Sequence, residues 1–257
     1  MSAYLIYLCL IIGNAMRLYK NIPNLITLLN LFSGLLSIYF ATKGDLSAAG
    51  WLIFLAAAFD FLDGMSARIL KAWSEIGKQL DSLADVVSFG VAPAFIVHYL
   101  IMSSHGRQSW ELFGFDIIPM VPFLLPLFSA FRLAKFNVDD RQTDNFLGLP
   151  TPATGILLAS LPLIKAKMYA GQSLFYMIVT NTYFYLGLVI VLSLLMVSEL
   201  PLFGLKFKRI QLKGNEIRYF FLAASAVLLI VLQVTAIPFI IGLYLLLSLV
   251  VFLTDIS

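Results

Sequence analysis

Cysteine is almost missing. Cys9 stands alone in 257 residues, which excludes an intrachain disulfide and any cysteine-based metal site. Charge is scarce as well: Asp, Glu, Lys and Arg make up 12% of the chain, where soluble proteins carry roughly 25%. No internal repeat, low-complexity tract or glycine-rich phosphate loop is visible. Together these deficits exclude disorder, a collagen, a disulfide scaffold and most soluble enzymes. Hydrophobic residues fill the space, at 61% of the chain and a mean hydropathy of +0.94. The apolar blocks are continuous and close to about 20 residues long, as membrane helices require. Barrel strands would instead alternate in polarity in pieces of roughly 10 residues. The expected fold class is an all-α polytopic membrane protein.

Eight transmembrane helices can be drawn, at Leu25–Thr42, Leu46–Leu70, Lys78–Met102, Ile117–Phe136, Thr151–Ile164, Leu174–Ser198, Tyr219–Ala236 and Pro238–Thr254. The few cations test this threading, because cytoplasmic loops carry an excess of Lys and Arg. With the segment before the first span inside, the inside set is Arg17, Lys20, Arg68, Lys71, Lys78, Arg132, Lys135, Arg141, Lys206, Lys208, Arg209, Lys213 and Arg218. The outside set is Lys43, Arg107, Lys165 and Lys167, so 13 of the 17 cations fall inside. Both termini are therefore expected in the cytoplasm. Residues 1–15 fit less well, being apolar yet shorter than a span and without the features of a signal peptide. They read as an N-terminal extension or a mis-assigned start ahead of Met16. The basic stretch Lys206–Arg218 reads as a topology determinant lying against anionic headgroups. Asp139, Asp140 and Asp144 read as solvated loop charges.

Ionisable groups inside a membrane are costly and mark function by default. Asp60 and Asp63 sit at i and i+3 in the second expected span, and Asp81 and Asp85 at i and i+4 in the third. Each pair therefore shares one helix face. Gly64 and Ala67 keep the first face uncrowded, and Gly77 and Ser88 extend the second. A short turn, Lys71–Gly77, joins the spans, so the four carboxylates can face one another in the cytoplasmic half of the bilayer. Arg68 alone is at hand in these spans to offset them. One or two hard divalent cations are the natural remainder, magnesium, manganese or calcium rather than zinc. Interhelical salt bridges and a transporter's proton relay are the competing readings. His98, expected on the far side, and His105, in an outside loop, carry no part of this.

The stretch Asp60-Phe-Leu-Asp63-Gly64-Met-Ser-Ala67-Arg68, then eight residues, then Gly77-Lys-Gln-Leu-Asp81-Ser-Leu-Ala-Asp85, resembles the signature of the CDP-alcohol phosphotransferases. All eight fixed positions of that signature are present within 26 residues, which makes it a specific match. Further segments resemble the phosphatidylserine-forming branch of the family: Asn21–Thr27, Ser88–Pro93, Arg132–Asn137, Phe146–Ala153 and Ser193–Lys206. The resemblance covers about Met16 to Arg218. It implies a CDP-alcohol phosphotransferase-like bundle with a core at residues 16–218 and two additional C-terminal transmembrane helices at 219–257.

It also implies transfer of the phosphatidyl group from CDP-diacylglycerol to the hydroxyl of L-serine, with release of CMP. Glycerol phosphate, inositol phosphate or choline are the alternative acceptors, and an ion-coupled transporter is the alternative of another class. Asp60, Asp63 and Asp81 are the first-choice metal ligands, for Mg2+ or Mn2+, with Asp85 beside them and also the expected general base. Asn24, Thr27, Gly64, Ala67, Arg68 and Gly77 are expected on the CDP side; Asn24 and Thr27 would otherwise cap the first helix, and Arg68 would otherwise neutralise carboxylates. Serine is a zwitterion, so its carboxylate asks for a cation: Arg132 and Lys135 are the candidates, with Gly148 and Pro150 shaping the pocket. The lipid bilayer is an expected partner, nucleic acid is not, and the resemblance implies a homodimer.

Overall fold

A computed structural model describes residues 2–104, 109–138, 146–168, 174–204 and 215–254, with the backbone alone for 2–20. Among the described residues, five helical stretches are long and apolar enough to cross a membrane: Asn21–Thr42, Leu46–Ile69, Glu75–Met102, Ile118–Val138 and Glu216–Thr254. The protein is thus an all-α integral membrane protein, ornamented by two short antiparallel strand pairs that the sequence did not foretell. Arg141, the four basic residues Lys206, Lys208, Arg209 and Lys213, and Asp139, Asp140, Asp144, His105 and Arg107 lie outside the described residues.

Helix α1 (Ser2–Thr42) carries residues 2–15 and the first expected span in a single rod, with Pro23 in its interior. Asn24 and Thr27 therefore lie inside a helix and do not cap one. Helix α2 (Leu46–Ile69) begins at Asp45, whose side chain accepts from Ala48 N at 2.9 Å. Helix α3 (Glu75–Asp85) starts at Ser74, whose hydroxyl accepts from Gly77 N at 3.0 Å. A π-helical turn, Val86–Val91, then leads into α4 (Ala92–Met102). Its cause is local: Pro93 has no N–H to return to Phe89, and its ring crowds that carbonyl, so the ladder widens just upstream.

Prolines also shape the next element, where Ile118–Phe123 is a 3-10 turn holding Pro119 and Pro122 before α5 (Leu124–Val138). Helix α6 (Thr151–Lys167) follows. The expected sixth span is two helices, α7 (Leu174–Val179) and α8 (Thr182–Val197). Asn181 breaks it, because its side chain accepts from Tyr183 N at 2.8 Å and so caps a new helix. Two more helices, α9 (Glu216–Leu232) and α10 (Ala236–Thr254), are separated by a 3-10 turn at Gln233–Thr235 in which Gln233 has φ +55°. The Phe221 and Tyr244 rings meet at 5.6 Å, so α10 folds back along α9.

Strands β1 (Glu111–Leu112) and β2 (Phe115–Asp116) form a hairpin between α4 and α5. Strands β3 (Phe146–Leu147) and β4 (Pro201–Leu202) tie the start of α6 to the end of α8.

The π-helical turn is the hub of the bundle. In lipid, helices associate through close backbone approach at small residues rather than through the hydrophobic effect. Ser88, Phe89 and Gly90 are buried, and each meets a different helix. A Cβ on Gly34 of α1 would stand 2.8 Å from Ser88 Cα, one on Gly155 of α6 2.9 Å from Phe89 Cβ, and one on Gly90 3.1 Å from Ser129 Cβ of α5. Three helices are thereby fixed against the residues that follow Asp85.

Two ends of the bundle are distinct. At one end lie the α2–α3 turn, the last turn of α5 and the first of α6 and α9. There Lys78 Nζ donates to Asn137 O at 3.3 Å and Arg218 Nε to Gly204 O at 2.8 Å. At the other, Lys165 Nζ donates to Ser103 Oγ at 3.2 Å, Lys167 Nζ to Gln233 Oε1 at 2.9 Å, and Lys43 closes α1. The described cations thus separate as the threading expected.

Candidate active site

Asp60 and Asp63 come from the last turns of α2, Asp81 and Asp85 from α3. The helical hairpin brings Asp60, Asp63 and Asp81 together with oxygen atoms all within 4.8 Å of one another. Asp85 joins them through Asp60. Helix α1 supplies two polar groups to this carboxylate set. Thr27 Oγ1 donates to Asp63 Oδ2 at 2.6 Å, and Asn30 Nδ2 to Asp85 Oδ1 at 3.4 Å. Thr27 therefore orients a carboxylate in this structure, where the sequence placed it on the nucleotide. Asn30 is fully buried and was missed. It lies one turn beyond Thr27 on the same face, which is the signal that could have found it.

Three carboxylates whose oxygens converge in a bilayer need positive charge. Arg68 is exposed and pairs with none of them, so it does not act as their counter-ion. Asp81 Oδ1 is buried without a hydrogen-bond partner. Clustered hard oxygen donors with an open coordination atom, joined by no thiolate or imidazole among the described residues, fit a hard divalent cation. The cluster can hold a metal; the salt-bridge reading finds no cation within it.

The glycines divide by what surrounds them. A Cβ on Gly64 would meet only Arg68 Nη2, at 3.9 Å, so the space above it is open. One on Gly77 would fall 2.9 Å from Asn24 Oδ1, so Gly77 lets α1 approach α3. Gly148 has φ +72°, and a Cβ there would stand 2.5 Å from Met196 O and 2.8 Å from Ser198 O. Its N–H donates to Leu200 O at 3.0 Å, while Leu149 N donates to Leu195 O at 2.9 Å. The second bond satisfies a carbonyl that the end of α8 leaves open. Gly148 thus lets its chain approach the end of α8 closely, and Pro150 precedes the first residue of α6. Ala67 is buried in α2.

Arg132 and Lys135 were both expected at the acceptor, and they differ in burial and in partners. Arg132 is 8% exposed and lies within electrostatic reach of Asp85 of α3 and Tyr244 of α10. Its Nη1 donates to Thr151 Oγ1 at 3.2 Å, while its Nε is buried with no partner. Lys135 is bound to Glu199 at 3.2 Å, towards the surface. Both line a small cavity with Phe136, Leu147, Met196 and Ser198. Thr151 and Tyr244 also surround Arg132; Thr151 lies in the Phe146–Ala153 stretch already noted in the sequence, and Tyr244 was missed. His98 Nδ1 contacts Pro119 O at 2.6 Å, far from the carboxylates, as expected.

Carboxylates, small residues and a buried arginine in this arrangement define a phospholipid-type transferase site, and comparison with known proteins agrees. The chain belongs to the CDP-alcohol phosphatidyltransferase family, whose model matches residues 20–195. It is similar to CDP-diacylglycerol–serine O-phosphatidyltransferase of Helicobacter pylori strain J99, at 33% identity over 180 residues, covering 69% of this chain and 70% of the relative. The enzyme of that name from Mycobacterium leprae is 37% identical over 188 residues, covering 70% and 57%. Archaetidylserine synthase of Methanothermobacter thermautotrophicus is 38% identical over 141 residues, covering 54% and 56%.

Proposed function

We propose that this protein is a CDP-diacylglycerol–serine O-phosphatidyltransferase. The observation that carries the reading is the convergence of Asp60, Asp63 and Asp81, with Asp85 adjacent and a buried Arg132 within electrostatic reach of it. The relatives' names share serine as the alcohol, which favours it over glycerol phosphate, inositol phosphate and choline.

Asp60, Asp63 and Asp81 would hold the divalent cation, Mg2+ or Mn2+, with Asp85 close enough to share a second. Bound there, a cation supplies charge neutralisation for the donor's pyrophosphate. The residues do the rest. The open surface over Gly64 gives the nucleotide a path along α2, and exposed Arg68 offers a planar fork to phosphate. Thr27 holds Asp63 in position, and Asn24, beside Gly77, borders the same surface. Arg132 receives the serine carboxylate. Asp85 takes the proton from the serine hydroxyl as its oxygen bonds to the phosphatidyl phosphorus. The bond from that phosphorus to the CMP oxygen breaks, and CMP leaves.

The same reading sets the topology. The chain would cross eight times, through α1, α2, α3–α4, α5, α6, α7–α8, α9 and α10, with the site and both termini towards the cytoplasm. Helices α6 and α8 are short, at 17 and 16 residues, or about 25 Å at 1.5 Å per residue. Local thinning or flanking polar residues accommodate such lengths. Residues 16–218 would be the catalytic core, with α9 and α10 as an addition that lends Tyr244 to it. A homodimer rests on the family resemblance, and crosslinking in native membrane tests it; a strictly monomeric band removes it.

The deciding assay is CMP release from CDP-diacylglycerol by purified protein. It should require both serine and a divalent cation. Release with glycerol phosphate in place of serine would change the acceptor, and no release with any alcohol would leave the transporter reading standing.

A further inference from the structure

Asp85 has two buried neighbours that carry unpartnered polar atoms of opposite character, Asn30 bonded to it and Arg132 within its electrostatic reach. One atom is Arg132 Nε, a donor; the other is Asn30 Oδ1, an acceptor. Asn30 is 0% exposed. The amide NH2 donates to Asp85 Oδ1 at 3.4 Å, which leaves the amide oxygen without a partner beside that contact. The neighbouring donors are committed: the Ser88 hydroxyl donates to the backbone oxygen of Asn30 at 3.0 Å, and the Thr27 hydroxyl lies 2.6 Å from Asp63. The Ser88 contact also pins the Asn30 backbone to the π-helical turn.

An unsatisfied buried carbonyl is costly and calls for a partner, which beside a reacting carboxylate a ligand can supply. A zwitterionic amino acid is complementary to the whole set. Its carboxylate accepts from the guanidinium, its hydroxyl lies over Asp85, and its ammonium has hydrogens to give. We propose that Asn30 is the group that recognises the ammonium of the acceptor, through Oδ1, and so selects an amino acid over other hydroxy compounds. This rests on the serine-transferase reading above. It assigns Asn30, which lies outside the two carboxylate motifs, as a specificity-determining residue. The logic is that of a site built around a polar group: an analogue lacking the matching donor leaves the buried oxygen unpaired and is rejected.

The test compares L-serine with 3-hydroxypropionate, which keeps the hydroxyl and carboxylate and lacks the ammonium. CMP release is measured for the wild type, Asn30→Ala and Asn30→Ser in mixed micelles with CDP-diacylglycerol. The wild type should prefer serine strongly in kcat/KM. That preference should fall at least tenfold in both variants, through the serine KM. An equal loss for the two acceptors would show that Asn30 only holds Asp85, and overturns the assignment. So does a wild type that uses 3-hydroxypropionate as well as serine, a result that needs no variant to fold. A wild type that releases no CMP with serine but does so with another alcohol sinks the serine reading itself, and the role of Asn30 with it.

Discussion

At the residue scale, the proposed reaction asks a base of Asp85 and a carboxylate-binding cation of Arg132. Asp85→Asn keeps the size of the side chain and removes its basicity, while Asp60, Asp63 and Asp81 remain to bind metal. Loss of a general base typically costs about 10²–10⁴ in rate. Single-turnover CMP release should fall by that order with CDP-diacylglycerol binding little changed. Near-normal turnover, or donor binding lost as badly as in Asp60→Asn, would take the base role away from Asp85. Arg132 and Lys135 now make separate predictions. Arg132→Ala should raise the serine KM by roughly tenfold or more, since a charge-assisted bond contributes about 1.5–3 kcal/mol. Lys135→Ala should have a smaller effect, because Lys135 is already bound to Glu199 near the surface. Equal KM effects would mean that both cations touch the substrate. The four carboxylates were legible because charge in an apolar run is conspicuous. Asn30 and Tyr244 were not, because an uncharged polar residue in a membrane helix has many ordinary uses, and only three-dimensional contact shows which carboxylate or guanidinium it serves.

At the scale of elements, the hydropathy blocks placed most helices to within a few residues, and the errors have local chemical causes. Asn181 divides a continuous apolar block because its side chain caps a helix better than it continues one. The π-helical turn was invisible, since no composition marks it; in hindsight Pro93 is its trace. Glycines within these helices carry different demands, and substitution should separate them. Gly64→Ala meets nothing closer than 3.9 Å in the protein, so thermal stability should hold while the KM for CDP-diacylglycerol rises. Gly148→Ala meets backbone carbonyls at a φ of +72°, so it should lower stability by more than about 1 kcal/mol, read as a drop in melting temperature. A Gly64→Ala protein with an unaltered donor KM would show that the nucleotide does not lie over α2.

For the whole molecule, metal and membrane orientation are the two properties that unite the scattered observations. Exhaustive chelation should abolish CMP release, with recovery on adding magnesium or manganese; full activity after chelation would remove the metal from the mechanism. The distribution of charge is the ground for the proposed orientation. Arg68, Lys71, Lys78, Arg132, Lys135 and Arg218 gather at the end that holds the carboxylates, and Lys43, Lys165 and Lys167 at the other. An excess of Lys and Arg marks the cytoplasmic side, and the same side offers the donor's cytidine head an aqueous phase while its acyl chains stay in lipid. The lone Cys9 makes the test simple, because Cys9→Ser gives a thiol-free background. Single cysteines at Lys43, Trp73 and Gln233, all exposed, then report three loops. A membrane-impermeant maleimide added to intact cells should label Lys43→Cys and Gln233→Cys at once. Trp73→Cys, in the α2–α3 turn beside the carboxylates, should react only after the membrane is opened. Labelling at Gln233 carries the further point that α9 crosses the bilayer, as an eight-crossing bundle requires of the α9–α10 hairpin. The opposite pattern, with Trp73→Cys labelled in intact cells and Lys43→Cys protected, would place the site outside and cut it off from a cytoplasmic nucleotide-linked donor.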